Sequence, residues 1–193
     1  IVTMNMNEKQ SNKLAPKKKT VVIIGGSLGA QKINELIVAQ LPFFDAQGVQ
    51  LLWQCGRLYY ERYRGLNTPN VKVYPFIAEM HLVYAAADII ISRAGASSIS
   101  ELCLVGKPTL FIPSPNVAEN HQYHNANALV KQDAAILMQE NELEKTFETA
   151  FSQLLKNEKR QVELGENMRK LAKPQATQTI VACIENLMSG NEE

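Results

Sequence analysis

Cysteine is scarce in this chain. The three present, Cys55, Cys103 and Cys183, are far apart, odd in number and in no C-x-x-C pair. That argues against a zinc framework or a disulfide scaffold and fits a reducing compartment. No apolar run approaches the ~18 residues needed to cross a bilayer. The polar stretch from Ile1 to Lys19 is no signal peptide. Charge of either sign is not in excess: the formal net charge is +1, so no global field points to nucleic acid or to an acidic substrate. Repeats and low-complexity tracts are missing. So are a G-x-S-x-G elbow, a G-x-G-x-x-G fingerprint and a G-K-[ST] phosphate loop, which weakens the usual hydrolase and cofactor readings.

What remains is a chain of 193 residues, 46% hydrophobic, enough for a real core in one large domain or at most two small ones. Residues 1–18 read as tail or linker; the basic run Lys17, Lys18 and Lys19 reads as solvated linker, with a membrane-surface or phosphate contact as the alternative. Ile1 is not a natural start residue, so the chain reads as a piece excised from a longer one. Residues 19–193 form one domain of alternating strands and helices. The strands are Thr20 to Ile24, Val49 to Gln54, Val71 to Tyr74, Asp88 to Ser92, Thr109 to Ile112 and Ala134 to Met138. Helical spacing of Ile33, Leu36, Ile37 and Leu41 follows the first strand. Further helices fall near Tyr59 to Arg64, Met80 to Ala86, Ser97 to Val105 and His121 to Lys131. Three more close the chain: Glu142 to Lys156, Glu158 to Ala172 and Ala176 to Met188, with Pro174 between the last two. This order predicts an α/β fold: a Rossmann-like parallel sheet flanked by helices, which binds ligands at the carboxyl ends of its strands.

Two glycine turns stand where such a site would be. Gly25-Gly26-Ser27-Leu28-Gly29-Ala30 follows the first strand and opens a helix. Backbone there can approach a ligand, and a helix amino end offers N–H groups to an anion. A tight turn without a ligand accounts for it equally well. Arg93-Ala94-Gly95-Ala96-Ser97 repeats the pattern at the fourth strand. Two helix amino ends facing one crevice can hold a diphosphate without metal. Arg93 supplies either a further cation or a tie to a carboxylate. Glu101 can accept hydrogen bonds from two vicinal ribose hydroxyls. However, Ser98-Ile99-Ser100-Glu101 also matches an S-x-x-E capping box, and spacing alone favours the cap. Phe76-Ile77 reads as core packing or as the edge of a flat base. His121 and Gln122 open a helix after a polar loop and suit sugar hydroxyls. His121 and His124 lack a third ligand at metal-site spacing.

Five stretches together carry a resemblance: GGSLGAQKIN (Gly25 to Asn34), PFIAEM (Pro75 to Met80), ADIIISRAGASSISEL (Ala87 to Leu102), GKPTLFIP (Gly106 to Pro113) and NHQYHNANAL (Asn120 to Leu129). In this order and spacing they resemble the carboxyl-terminal domain of the MurG family. These bacterial enzymes transfer N-acetylglucosamine from UDP-N-acetylglucosamine to lipid-linked N-acetylmuramyl-pentapeptide. The resemblance covers about residues 20–188 and implies the donor-binding half of an inverting GT-B glycosyltransferase. It implies that Ile77 reads the uracil edge, with Phe76 and Met80 lining the base pocket. Ser27 and neighbouring Gly26 meet the phosphates, with Gly95, Ala96, Ser97 and Arg93 on the other side. Glu101 holds the ribose, which reverses the capping reading. Gln122 holds the sugar, beside His121, which stands where some members carry a glutamine. No cofactor and no metal are implied.

A second, amino-terminal domain is expected outside this chain. It would supply the acceptor (lipid I) site, the general base and the membrane-association patch, placing the enzyme peripherally on the cytoplasmic face of the inner membrane. This chain alone is expected to be a soluble donor-binding piece that does not catalyse. The alternatives are another GT-B UDP-sugar enzyme (a lipid glycosyltransferase, a 2-epimerase or the donor subunit of a two-chain transferase) or a non-catalytic nucleotide-binding domain.

Overall fold

Parallel pairing throughout the sheet sets the architecture. A computed structural model of the chain describes residues 14–26 and 28–188. Six strands, β1 (Thr20–Ile24), β2 (Gln50–Gln54), β3 (Val71–Tyr74), β4 (Ile89–Ser92), β5 (Thr109–Phe111) and β6 (Ile136–Leu137), lie in the order β3-β2-β1-β4-β5-β6. All five pairings are parallel. The order reverses between β1 and β4, so the crevice at the carboxyl ends of those strands is the topological switch point.

The central strands are β-branched and buried on both faces, as a covered parallel sheet requires. Val21 and Ile23 face one core, and Val22 and Ile24 face the other. The first core is closed by α1 (Gln31–Ala39), α2 (Leu41–Ala46), α3 (Tyr60–Tyr63) and α7 (Leu143–Lys156). There Phe43 and Phe44 pack edge-on against Phe147 and Phe151. The second core is closed by α4 (Met80–Ala86), α5 (Ala96–Val105) and α6 (His121–Val130). Helix α8 (Glu158–Lys170) gives Leu164 to the first core and Met168 to the second. The last helix, α9 (Ala176–Met188), buries none of its residues.

Three differences from the sequence reading have local causes. The helical run through Leu41 is broken at Gln40, because Pro42 belongs to the first turn of a new helix, α2. The sixth strand is two residues long, an edge pairing with β5 alone. The expected tail is docked from Leu14 on: Leu14 is buried in the second core, and the Ala15 N–H donates to Gln50 Oε1 at 2.8 Å. Lys18 Nζ donates to Asn70 Oδ1 at 2.9 Å, and Lys19 Nζ lies 3.3 Å from Glu158 Oε1. Residues 1–13 lie outside the described residues. All three cysteines are free. Among the described residues no helix is long and apolar enough to cross a membrane.

Candidate functional site

Gly25 leaves β1 as part of a loop that is wedged against the end of β2. Gly26 and Gly29 have φ of 84° and 92°, which side chains with a Cβ adopt at a cost. Gly29 lies so close to β2 that a Cβ there would overlap the Cys55 carbonyl oxygen, and a Cβ on Gly56 would overlap Gly29 itself. The helix behind the loop is pinned from inside. Trp53 Nε1 donates to Asn34 Oδ1, and Asn34 Nδ2 donates to the Cys55 carbonyl, both at 2.9 Å. These buried bonds hold α1, and with it the glycine loop, in register with β2. Ser27 lies outside the described residues.

At the second turn, the arginine takes the second of the two roles open to it. Arg93 Nη2 sits 2.6 Å from Glu140 Oε1, with side chains only 15% and 12% exposed. Its Nη1 donates to the Ile112 carbonyl at 2.9 Å. Arg93 is therefore a tie to a carboxylate and to the backbone just after β5, not a free cation. The Asn125 amide braces the same turn through the Ala94 carbonyl at 3.2 Å.

Gly95 is the N-cap of α5, and no side chain caps that helix. The helix's own ladder begins with Ile99 N–H to the Gly95 carbonyl. The N–H groups of Ala96, Ser97 and Ser98 thus point out of the helix at its amino end. The capping box is corrected by this start point: Ser98 lies inside the first turn rather than before it. Glu101 instead takes a hydrogen bond from the Tyr84 hydroxyl, 3.0 Å to Oε2, at an exposed position.

A cavity of about 450 Å³ brings the glycine loop (Gly25, Gly29), Lys32, Arg93, Ser114 and Gln122 together, with Glu140 at its wall. Gln122 is oriented: its Oε1 accepts from the Ser114 N–H at 3.0 Å, which turns its NH₂ outward as a donor. His121 is exposed, with Nδ1 3.0 Å from the Ala118 carbonyl. It follows Glu119 and Asn120, both at positive φ.

Gly26, Phe76, Ile77, Met80, Gly95, Ala96, Ser97, Glu101 and His121 do not line that cavity. Phe76 is 43% exposed, with the Arg57 guanidinium over its ring at 5.0 Å. Ile77 and Met80 pack partly against the second core. The Ile77 N–H donates to Gln54 Oε1 at 2.9 Å. Its carbonyl has no hydrogen-bond partner among the described residues.

The comparisons with known proteins decide what kind of domain this is. Residues 20–180 match the family described as the glycosyltransferase family 28 C-terminal domain. The chain belongs to that family. This family 28 domain is 53% identical over 176 residues to the UDP-N-acetylglucosamine--N-acetylmuramyl-(pentapeptide) pyrophosphoryl-undecaprenol N-acetylglucosamine transferase of Christiangramia forsetii, covering 91% of this chain and 48% of that protein. It is 50% identical over 181 residues to the protein of the same name from Flavobacterium psychrophilum, covering 93% and 49%. The chain thus spans about half the length of the curated relatives it matches. It superposes on the crystal structure of Acinetobacter baumannii MurG with a TM-score of 0.74 at 31% identity, covering 93% of this chain and 53% of that one. The Staphylococcus aureus MnaA–UDP co-structure shares the fold, with a TM-score of 0.68 at 12% identity, covering 95% and 48%. The architecture is that of one half of a GT-B glycosyltransferase.

The family 28 domain contains site-building residues that the sequence reading passed over: Gln54, Tyr84, Lys32 and Glu140. A glutamine that closes a strand two residues before a glycine, Gly56, is the one local signal among them. The others are set by partners distant in sequence.

Proposed function

We propose that this chain is the donor half of an inverting transferase. It would hold UDP-N-acetylglucosamine while the sugar passes to the 4-hydroxyl of lipid-linked N-acetylmuramyl-pentapeptide in peptidoglycan synthesis. The observation that carries the reading is the switch-point crevice. There a glycine loop and the uncapped amino end of α5 flank the ends of β1 and β4, in a chain half identical to transferases of that name.

In this reading the nucleotide runs from the Phe76–Met80 segment toward the cavity. The Ile77 carbonyl reads the uracil edge, its N–H being held by Gln54, and Phe76 and Met80 line the base. Glu101 accepts from the ribose hydroxyls. The diphosphate lies between the loop at Gly26 and Ser27 and the N–H groups of Ala96 and Ser97 beyond Gly95. The Gln122 amide donates to the sugar, with His121 at the rim. Arg93 fixes the turn rather than touching the donor. As the muramyl oxygen attacks C1, the bond to the leaving diphosphate breaks and negative charge grows there. Helix-end N–H groups already aimed at it stabilise that charge without reorganising. The acceptor site, the general base and the contact with the cytoplasmic face of the membrane belong to the other half of the enzyme.

Titration of the chain with UDP-N-acetylglucosamine, UDP and ADP, read by thermal unfolding, tests this. UDP ligands at 100 times Kd should stabilise by about 2.7 kcal/mol, and ADP should do far less. An equal response to ADP would overturn the uracil-reading role of Ile77.

A further inference from the structure

Gln54 is the last residue of β2, 3% exposed, and it joins two segments that no other side chain bridges among the described hydrogen bonds. Its Nε2 donates to the Gly26 carbonyl at 3.1 Å. Its Oε1 accepts from the Ile77 N–H at 2.9 Å. Its backbone carbonyl accepts from the Gly25 N–H at 3.3 Å. One buried amide therefore spans from the β1 glycine loop to the β3–α4 connection. We propose that Gln54 is a positioning residue that locks the diphosphate loop and the base-reading segment into one unit, so that a nucleoside diphosphate meets both at a fixed separation. This rests on the donor-site reading above.

The chemistry follows from the geometry of the amide. Each end of the buried amide holds a backbone partner from a different loop, so moving either loop alone breaks a buried hydrogen bond. A ligand with a base at one end and a diphosphate at the other gains from two sites held at the right distance. A ligand with one of the two parts gains nothing from that spacing.

The test separates joined from unjoined ligands. Uridine, inorganic pyrophosphate and UDP are titrated by calorimetry into the wild type, Gln54→Leu and Gln54→Glu. Gln54→Leu cuts both links; Gln54→Glu keeps the acceptor for Ile77 and loses the donor to Gly26. In Gln54→Leu the Kd for UDP should rise about tenfold or more, while those for uridine and pyrophosphate move less than about threefold. Gln54→Glu should also weaken UDP while sparing uridine. UDP binding as in the wild type, or an equal loss for all three ligands, would overturn the proposal; an equal loss marks general damage to the fold. A wild-type measurement keeps the question open to refutation if neither variant folds. Pyrophosphate alone should slow hydrogen exchange at the Ile77 amide, which it does not touch, and unchanged exchange would overturn the proposal. Failure of the wild type to bind UDP would overturn the donor-site reading itself. UDP binding with unchanged coupling would overturn only the role of Gln54.

Discussion

The Tyr84 hydroxyl donates to Glu101 Oε2 at 3.0 Å, joining α4 to α5. Burial, and then the Glu101 charge beside it, push the Tyr84 phenol well above its ordinary pKa. The hydroxyl therefore stays a donor throughout the physiological range and holds one carboxylate oxygen; in the proposed donor site the other accepts from the ribose. Tyr84→Phe should weaken UDP by about three- to tenfold, the usual worth of one hydrogen bond. It should leave 2′,3′-dideoxy-UDP nearly unaffected. Calorimetry with the two nucleotides checks this; equal losses would show that Tyr84 does not act through the ribose contact.

The same pair settles how Glu101 should behave in a stability experiment. A capping glutamate contributes to its helix, and losing a cap costs about 0.5–2 kcal/mol. Here Gly95 occupies the cap position and Glu101 is exposed on the helix. Glu101→Gln should shift the urea unfolding free energy by less than about 0.5 kcal/mol, as for other exposed sites. In the same variant UDP binding should fall about tenfold or more, as befits a lost charged hydrogen-bond acceptor.

Much of the fold was legible because it is written locally. Thr20 to Ile24 is β-branched and ends in glycine; Gly106 closes α5 in the left-handed conformation that a glycine there implies. The failures are of two kinds. The S-x-x-E spacing at Ser98 is a genuine pattern, but Gly95 starts the helix earlier, so the pattern falls one turn too late. Arg93 could not be assigned between cation and tie because its partner, Glu140, comes from a segment beyond β6. Spacing reads neighbours along the chain, and it is blind to a carboxylate delivered by another loop. Gln54 was missed for the same reason, since both its side-chain partners lie on other connections.

Arg93 and Glu140 form a mostly buried pair at the wall of the cavity. Removing one partner leaves the other charge poorly solvated, which costs about 3–5 kcal/mol for a fully buried pair and somewhat less here. Arg93→Met should therefore destabilise the chain by about 2–4 kcal/mol in urea unfolding, alongside any loss of binding. If Arg93→Met unfolded like the wild type, the pair would not be holding the β4 turn.

The glycine loop offers a paired comparison. Gly26 and Gly29 both have positive φ, but a Cβ on Gly26 meets nothing, whereas one on Gly29 overlaps the Cys55 carbonyl. Gly26→Ala should cost the conformational penalty alone, about 1–2 kcal/mol. Gly29→Ala adds steric conflict with β2 and should cost about 3 kcal/mol or more. Equal unfolding free energies for the two variants would mean that the loop is not seated against β2 as described.

Asp133 lies in the turn after α6 at φ 52°. Both its carboxylate oxygens take hydrogen bonds from Arg160, at 2.7 and 2.6 Å. Those bonds hold the Asp133 carboxyl below its ordinary value. A depressed folded pKa means that the unfolded chain binds the proton first as pH falls. The stabilisation is then complete above the unfolded value, about 3.9, and is lost as pH falls through the folded one. Asp133→Asn keeps a residue that tolerates this backbone but removes the charge. Its urea midpoint should lie below that of the wild type by a constant amount above about pH 5. The gap should narrow as the pH drops below about 4. Because the pair is exposed, the gap should also shrink in high salt. A gap that stays constant down to the acid unfolding of the chain would assign the loss to the turn rather than to the ion pair.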